Sequence, residues 1–126
     1  MCTILVVDDH PVTREPLARL LQFEGFRTTC AANGVEALAA VGLARPDLIL
    51  LDVMMPKMNG VDFLGHLRRD AAGADIPVIG LTGVFDSHQI ARLRELGVAD
   101  VLTKARFTVE QLLVCVRRHV SSVTAA

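Results

Sequence analysis

The chain alternates two patterns, and that alternation limits its fold more than any other feature. Short unbroken apolar runs, Ile4-Leu5-Val6-Val7 and Leu48-Ile49-Leu50-Leu51, give way to longer stretches whose apolar residues recur at helical spacing. Strand-like runs are expected at residues 4–7, 27–31, 48–51, 76–81 and 98–103. Helices fall between them and after the last. Leu17, Leu20, Leu21 and Glu24 mark the first helical face and its edge. Pro16 is compatible with that helix if it starts near Val12 or Thr13, because first-turn amides have no partner to lose. Gly25 ends it. Asn33 with Glu36 reads as a capping box for a helix through Leu38 and Val41. Asn59 caps the third helix, with Val61, Leu64 and Leu67 on its buried face. Asp86 with Gln89 opens the fourth, which carries Ile90 and Leu93 and stops at Gly97. Thr108 and Gln111 form another box, stapled by Phe107 and Leu112. The last helix is expected to bury Val109, Leu112, Leu113, Val116 and Val120.

Strands separated by helices imply βαβ units and a parallel sheet. A strand covered on both faces reads as a continuous apolar run, whereas an edge strand tolerates polar residues. The second run holds Arg27, Thr28 and Thr29, and the fifth holds Asp100 and Thr103, so these two are the edges. The predicted architecture is α/β: a doubly wound, five-stranded parallel sheet of order 2-1-3-4-5 with five helices. A hydrophobic content of 52% is enough to cover both faces. At 126 residues one domain is expected, with its core at residues 3–120 and a short tail at 121–126.

The net charge of -1 and the lack of a basic block argue against direct nucleic-acid binding. No run reaches the length of a membrane span, and the N-terminus does not read as a signal peptide. Cys2, Cys30 and Cys115 are odd in number and widely spaced, the pattern of reduced thiols in a cytoplasmic protein.

In a sheet of this order, ligands bind beyond the carboxyl ends of the strands, where the order reverses. Asp8 and Asp9 leave the first strand, Asp52 the third, Thr82 the fourth and Lys104 the fifth. Crowded carboxylates repel one another, and a divalent cation relieves the repulsion. Magnesium commonly takes one or two carboxylates, waters and a phosphate oxygen. Asp9 and Asp52 are candidate direct ligands, with Asp8 holding a bound water. Asp52 can also act as nucleophile toward phosphorus, giving an aspartyl phosphate. Lys104 offers a flexible point charge and Thr82 a hydroxyl donor to phosphoryl oxygens.

The segments VVDDHP, LLDVMMPKMNG, GLTG and LTKA, in that order and each leaving its own strand, resemble the receiver domain of two-component response regulators. The resemblance runs from Thr3 to about Val120. It implies that Asp52 is the phosphoacceptor and takes its phosphoryl group from a sensor histidine kinase or phosphotransfer protein. It also implies Mg2+ (or Mn2+) organised by Asp8, Asp9, Asp52 and the backbone carbonyl of Met54, with Thr82 and Lys104 as the switch hydroxyl and ammonium. Pro56 and Gly60 shape the loop after Asp52. Such a domain modifies itself and is not otherwise an enzyme. Its output passes to a downstream protein through the fourth helix, fifth strand and fifth helix, where His88, Arg92, Arg94, Glu95 and Asp100 are candidate contacts.

The chain departs from the family at two places. Val101 stands where a Tyr or Phe is usual, and valine has one stiff torsion and no ring to swing. The expected signal route is therefore the Thr82 to Asp86 loop and the helix after it. Ala105 replaces the usual proline after the lysine; a cis bond without proline costs about 3 kcal/mol. Met54 and Val84, beside the site, are apolar and cannot orient a hydrolytic water, which predicts a long-lived phosphoryl group.

Plainer readings exist for each residue. Aspartates after strands often cap helices, and a lone Thr or Lys can be a turn or surface residue. His10 reads as a surface-loop histidine, and His66, His88 and His119 as exposed helix residues. Arg68-Arg69 and Arg117-Arg118 read as solvated faces. Three rival functions remain: an aspartyl-nucleophile phosphatase, which would want an acid at the place of Met54; a flavin protein, against which stand the acidic first loop and the absence of Trp and Tyr; and a phosphate-independent docking module. The chain is either a stand-alone receiver or a fragment of a longer regulator or hybrid kinase.

Overall fold

The computed structural model describes residues 2–53, 60–70, 73–82, 87–103 and 108–124, without the side chains of 87, 89 and 121–124. The elements are β1 (Thr3–Val7), α1 (Pro11–Phe23), β2 (Arg27–Ala31), α2 (Gly34–Leu43), β3 (Leu48–Asp52), α3 (Gly60–Arg69), β4 (Val78–Thr82), α4 (Ser87–Glu95), β5 (Asp100–Thr103) and α5 (Val109–Thr124). The strands form one sheet in the order β2-β1-β3-β4-β5, every pairing parallel, as the alternation predicts.

Successive strand residues point to opposite faces, and here both faces are covered. Leu5, Val7, Ile49, Leu51 and Val78 pack with Ala37 and Val41 of α2, Phe63, Leu64 and Leu67 of α3, and Leu93 of α4. Ile4, Val6, Leu48, Leu50, Ile79 and Leu81 pack on the other side with Leu21 of α1 and Leu112, Val116 and Val120 of α5. That division explains why β1, β3 and β4 read as unbroken apolar runs, whereas β2 is mostly exposed and β5 only half-buried. Phe63, fully buried, is among the largest core side chains; its burial stabilises by about 1.5–3 kcal/mol.

The helix ends follow their predicted chemistry. Gly25 (φ +96°) and Gly97 (φ +77°) occupy the left-handed position that stops α1 and α4. In both, the next two amides return to the last turn: Gly25 to Gln22 and Phe26 to Leu21, Gly97 to Arg94 and Val98 to Leu93. The amide of Glu36 donates to Asn33 Oδ1 at 2.9 Å, while Glu36 Oε1 accepts from the amide of Ala32. Thr108 and Gln111 cap α5 reciprocally. The capping roles expected of Asn59 and Asp86, and the staple at Phe107, lie outside the described residues.

Several expectations are corrected. α1 begins at Pro11, so Pro16 sits in its second turn and removes an amide that would have met the carbonyl of Val12, itself 86% exposed. β4 starts at Val78, because Pro77 has no N–H to give the ladder. β5 starts at Asp100, because the amide of Val98 is committed to the end of α4. Val109 is 54% exposed: the whole first turn of α5 faces solvent, and burial begins at Leu112. His119 is half-buried, its side chain 19% exposed and near Asp100.

Arg68 departs furthest from its expected solvated position. Its guanidinium donates to five backbone carbonyls: Leu96 (2.9 Å), Gly73 (3.1 Å), Ala74 (3.2 Å), Ile76 (2.7 Å) and Gly97 (3.1 Å). It thereby joins α3, the approach to β4 and the end of α4. Burial pulls its pKa below the ordinary value, with Asp75 opposing. Arg68→Ala is expected to lower unfolding free energy by about 2 kcal/mol, since hydrogen bonds to charged groups are the stronger kind and the carbonyls lose a shared donor. Urea denaturation with an unchanged m-value checks this; a loss below about 0.5 kcal/mol would remove the clamp role.

Candidate functional site

Parallel register brings the acidic residues together. Val7 pairs with Leu51, so Asp8 follows β1 where β3 reaches Asp52. Asp52 is the last residue of β3 and pairs with Leu81, one residue before Thr82. Thr82 in turn pairs with Thr103, the end of β5. Four neighbouring strands thus end at one rim, with the order reversing between β1 and β3.

The structure places Asp8 (1% exposed), Asp52 (2%) and Thr82 (2%) as the buried polar side chains of the described residues. Asp9 is less covered, its side chain 17% exposed. The first loop is held by backbone contacts. The amide of Asp8 donates to the carbonyl of Ala31 in β2, and the amide of His10 donates to Asp8 Oδ1 at 2.9 Å. Arg14 reaches back from α1 to the carbonyl of Asp8 at 2.8 Å.

Ligand atoms of Asp8, Asp9, His10 and Asp52 all lie within 4.8 Å of one another. Asp9 Oδ1 is buried without a hydrogen bond among the described residues, and His10 Nδ1 stands 3.0 Å from it. Three carboxylates this close, two of them buried, form a hard-oxygen donor set that fits a small divalent cation. His10 is exposed, as expected of a loop histidine, yet its ring belongs to this cluster. Its adjacency to the acidic pair was visible in sequence, but the side on which the ring would lie was not.

The segment after Asp52 is anchored at both ends. Val53 continues the ladder, its amide donating to Leu81, and the amide of Gly60 donates to the carbonyl of Val53 at 2.8 Å. A Cβ on Gly60 would lie 2.6 Å from Val53 Cα and 3.2 Å from the carbonyl oxygen of Asp52. Only glycine permits that approach, one residue from the candidate acceptor. Met54, Val84, Lys104 and Ala105 lie outside the described residues, as does Pro56. Val101 is half-buried and packs against the core beneath α2, α3 and α4.

Residues 4–117 match the response regulator receiver domain family. The chain belongs to that family. It is 41% identical over 114 residues to the DNA-binding response regulator MtrA of Mycolicibacterium smegmatis, covering 90% of this chain and 48% of that protein. The chain therefore spans about half the length of that relative. Among solved structures, the receiver domain of a signal transduction histidine kinase from Syntrophus aciditrophicus superposes with a TM-score of 0.91 at 36% identity, covering all of this chain and 95% of that one. The chemotaxis protein CheY4 of Vibrio cholerae gives 0.87 at 33% identity, over 94% of this chain and 98% of its own.

Because Gly60 packs on backbone, Gly60→Ala must displace the chain beside Asp52. The expected outcome is a loss of about 1–3 kcal/mol in stability together with weaker Mn2+ binding, read by thermal denaturation and paramagnetic line broadening. Unchanged values in both would show that the approach to Val53 is not limiting.

Proposed function

We propose that this receiver domain is a phosphoacceptor switch in two-component signalling, with Asp52 as the acceptor. The observation that supports it most directly is the burial of Asp52 at the end of β3, within 4.8 Å of the ligand atoms of Asp8, Asp9 and His10. Asp8, Asp9, Asp52 and the backbone carbonyl of Met54 would hold Mg2+ (or Mn2+). When bound, that cation neutralises charge on the carboxylates and on the transferring phosphoryl group.

The chain's own residues do the rest. An Asp52 oxygen attacks the phosphorus of a phosphohistidine on a sensor kinase or phosphotransfer protein. The new O–P bond forms as the N–P bond breaks, and the histidine nitrogen keeps the electron pair and takes up a proton. Thr82 donates its hydroxyl hydrogen to one phosphoryl oxygen, and the Lys104 ammonium pairs with another. Burial of Asp52 keeps water from competing. Met54 and Val84, two residues after Asp52 and Thr82 in the chain, are apolar and cannot themselves orient a hydrolytic water, so the adduct persists. The domain promotes only its own phosphorylation and dephosphorylation and turns over no separate substrate.

The whole chain acts as a single receiver in the cytoplasm; among the described residues no helix is long and apolar enough to cross a membrane. Its output is a protein contact through α4, β5 and α5, where His88, Arg92, Arg94 and Glu95 are exposed and Asp100 is half-buried. Without the usual aromatic at Val101, the change reaches that face through residues 82–86 and α4. DNA binding, named for MtrA, belongs to a protein about twice as long, and a net charge of -1 does not favour it here. A second context, the receiver of a longer regulator or hybrid kinase, is favoured by the likeness to MtrA and to the kinase receiver.

Acetyl phosphate with Mg2+ is expected to add one phosphoryl group at Asp52, seen by mass spectrometry. Chelation and Asp52→Asn should both abolish it, and the adduct should outlast minutes. An adduct retained by Asp52→Asn would displace Asp52 as acceptor, and decay within seconds would remove the part assigned to Met54 and Val84.

A further inference from the structure

A second cluster of metal-ligating side chains lies on the β5–α5 face. The thiol of Cys115 donates to Asp100 Oδ2 at 3.2 Å, and His119 Nε2 stands 3.6 Å from the same oxygen. The ligand atoms of all three residues lie within 4.8 Å of one another. Cys115 and His119 are one turn apart on α5 and therefore share a face. Asp100 comes from β5, and its other oxygen accepts from the amide of Val101 at 2.9 Å, which orients the carboxylate. Burial first, then the Asp100 carboxylate, pushes the Cys115 thiol up to about 12, with Arg118 opposing.

We infer that Asp100, Cys115 and His119 form a binding site for a zinc-type divalent cation, separate from the acidic pocket at the carboxyl rim. The geometry is close to what such an ion needs. With zinc–ligand bonds of about 2.0–2.3 Å, the edges of a tetrahedron are roughly 3.3–3.8 Å. The 3.2 Å and 3.6 Å separations require only a small adjustment, and the sulfur and imidazole, which lie within 4.8 Å of each other, close by up to about 1 Å toward the edges of a zinc tetrahedron. A sulfur, an imidazole nitrogen and one carboxylate oxygen suit zinc or cobalt; of the three only the carboxylate is a good ligand for magnesium.

The amide bond to Asp100 Oδ1 is the outer-shell support that metal sites use to aim a ligand. Asp100 and Cys115 line a groove of about 620 Å3 between β5 and α5, with Thr103, Thr108, Gln111 and Val114, whereas His119 lines a second groove with Pro77, Leu96 and Ala99. On binding, the thiol proton leaves to solvent and the thiolate sulfur donates to the cation. Three protein ligands leave the fourth position for water or for a partner's side chain. The ion would tie β5 to the middle turns of α5, on the face proposed for output, whether or not Asp52 is phosphorylated.

The test titrates the intact protein with Co2+ and then Zn2+, in excess Mg2+ so that the acidic pocket is competed. Co2+ is expected to produce a thiolate-to-cobalt charge-transfer absorption that saturates at one equivalent and is abolished by Zn2+. Cys115→Ser should lose the band and Cys30→Ser should keep it. Since outer-shell partners alone are worth about 10–100-fold, removing a ligand in His119→Gln should weaken Zn2+ binding by more than about tenfold. Absence of any sulfur band at saturating Co2+, or its survival in Cys115→Ser, overturns the site. If Cys115→Ser does not fold, the affinity of His119→Gln decides, and an unchanged value overturns it.

Discussion

Parallel pairing of β1, β3 and β4 is the constraint on which the chemistry depends. It sends the carboxyl ends of three buried strands to the same rim, so Asp8, Asp9 and Asp52 can share one cation. Reversing β1 or β3 would move its acid by the strand's own length, roughly 16 Å for five residues, beyond the reach of a single ion, and reversing β4 would carry the Thr82 hydroxyl away likewise. The pairing is secured by burial on both faces. Each central strand contributes alternately to one apolar layer beneath α2, α3 and α4 and to another beneath α1 and α5.

Gathering buried carboxylates opposes folding, because an unpaired buried charge costs several kcal/mol. The site meets that cost with directed backbone donors, such as the His10 amide on Asp8, and with a position suited to a cation. The apolar layers carry the remaining burden. The rim can therefore be electrostatically unfavourable without the fold failing, which leaves the acids free to respond to metal and phosphoryl group.

The side of the sheet around β5 is built differently. β3 and β4 are buried throughout, whereas every residue of β5 is half-buried. Beside the apolar packing of Leu93, the end of α4 is tied to α3 by one guanidinium, that of Arg68. Asp100, Cys115 and His119 connect β5 to α5 by polar contacts. Contacts of this kind can exchange partners more readily than a packed core, which suits the output role proposed for this face.

Sheet order, edge strands and most helix caps were legible in the sequence because they rest on local chemistry: uninterrupted apolar runs, polar edges, Gly25 and Gly97 after helices, Asn33 three residues before Glu36. The rim acids were legible because strand ends announce themselves. Arg68 and His119 were not: His119 meets a residue of another element, and the partners of Arg68, some nearby and some distant in sequence, are all backbone carbonyls that no residue type marks. Val109, expected to be buried but exposed, shows the ambiguity of helical phase: a 3.6-residue period fits neighbouring faces almost equally well. By itself the sequence determined a parallel α/β sheet and which carboxylates, hydroxyl and amine follow its strands, because periodicity and turn chemistry act over a few residues. Only the tertiary structure decided that His10 joins the acidic pocket, that Gly60 closes on Val53, and that Asp100 meets Cys115 and His119. Those meetings depend on register and packing between elements, which no local pattern encodes.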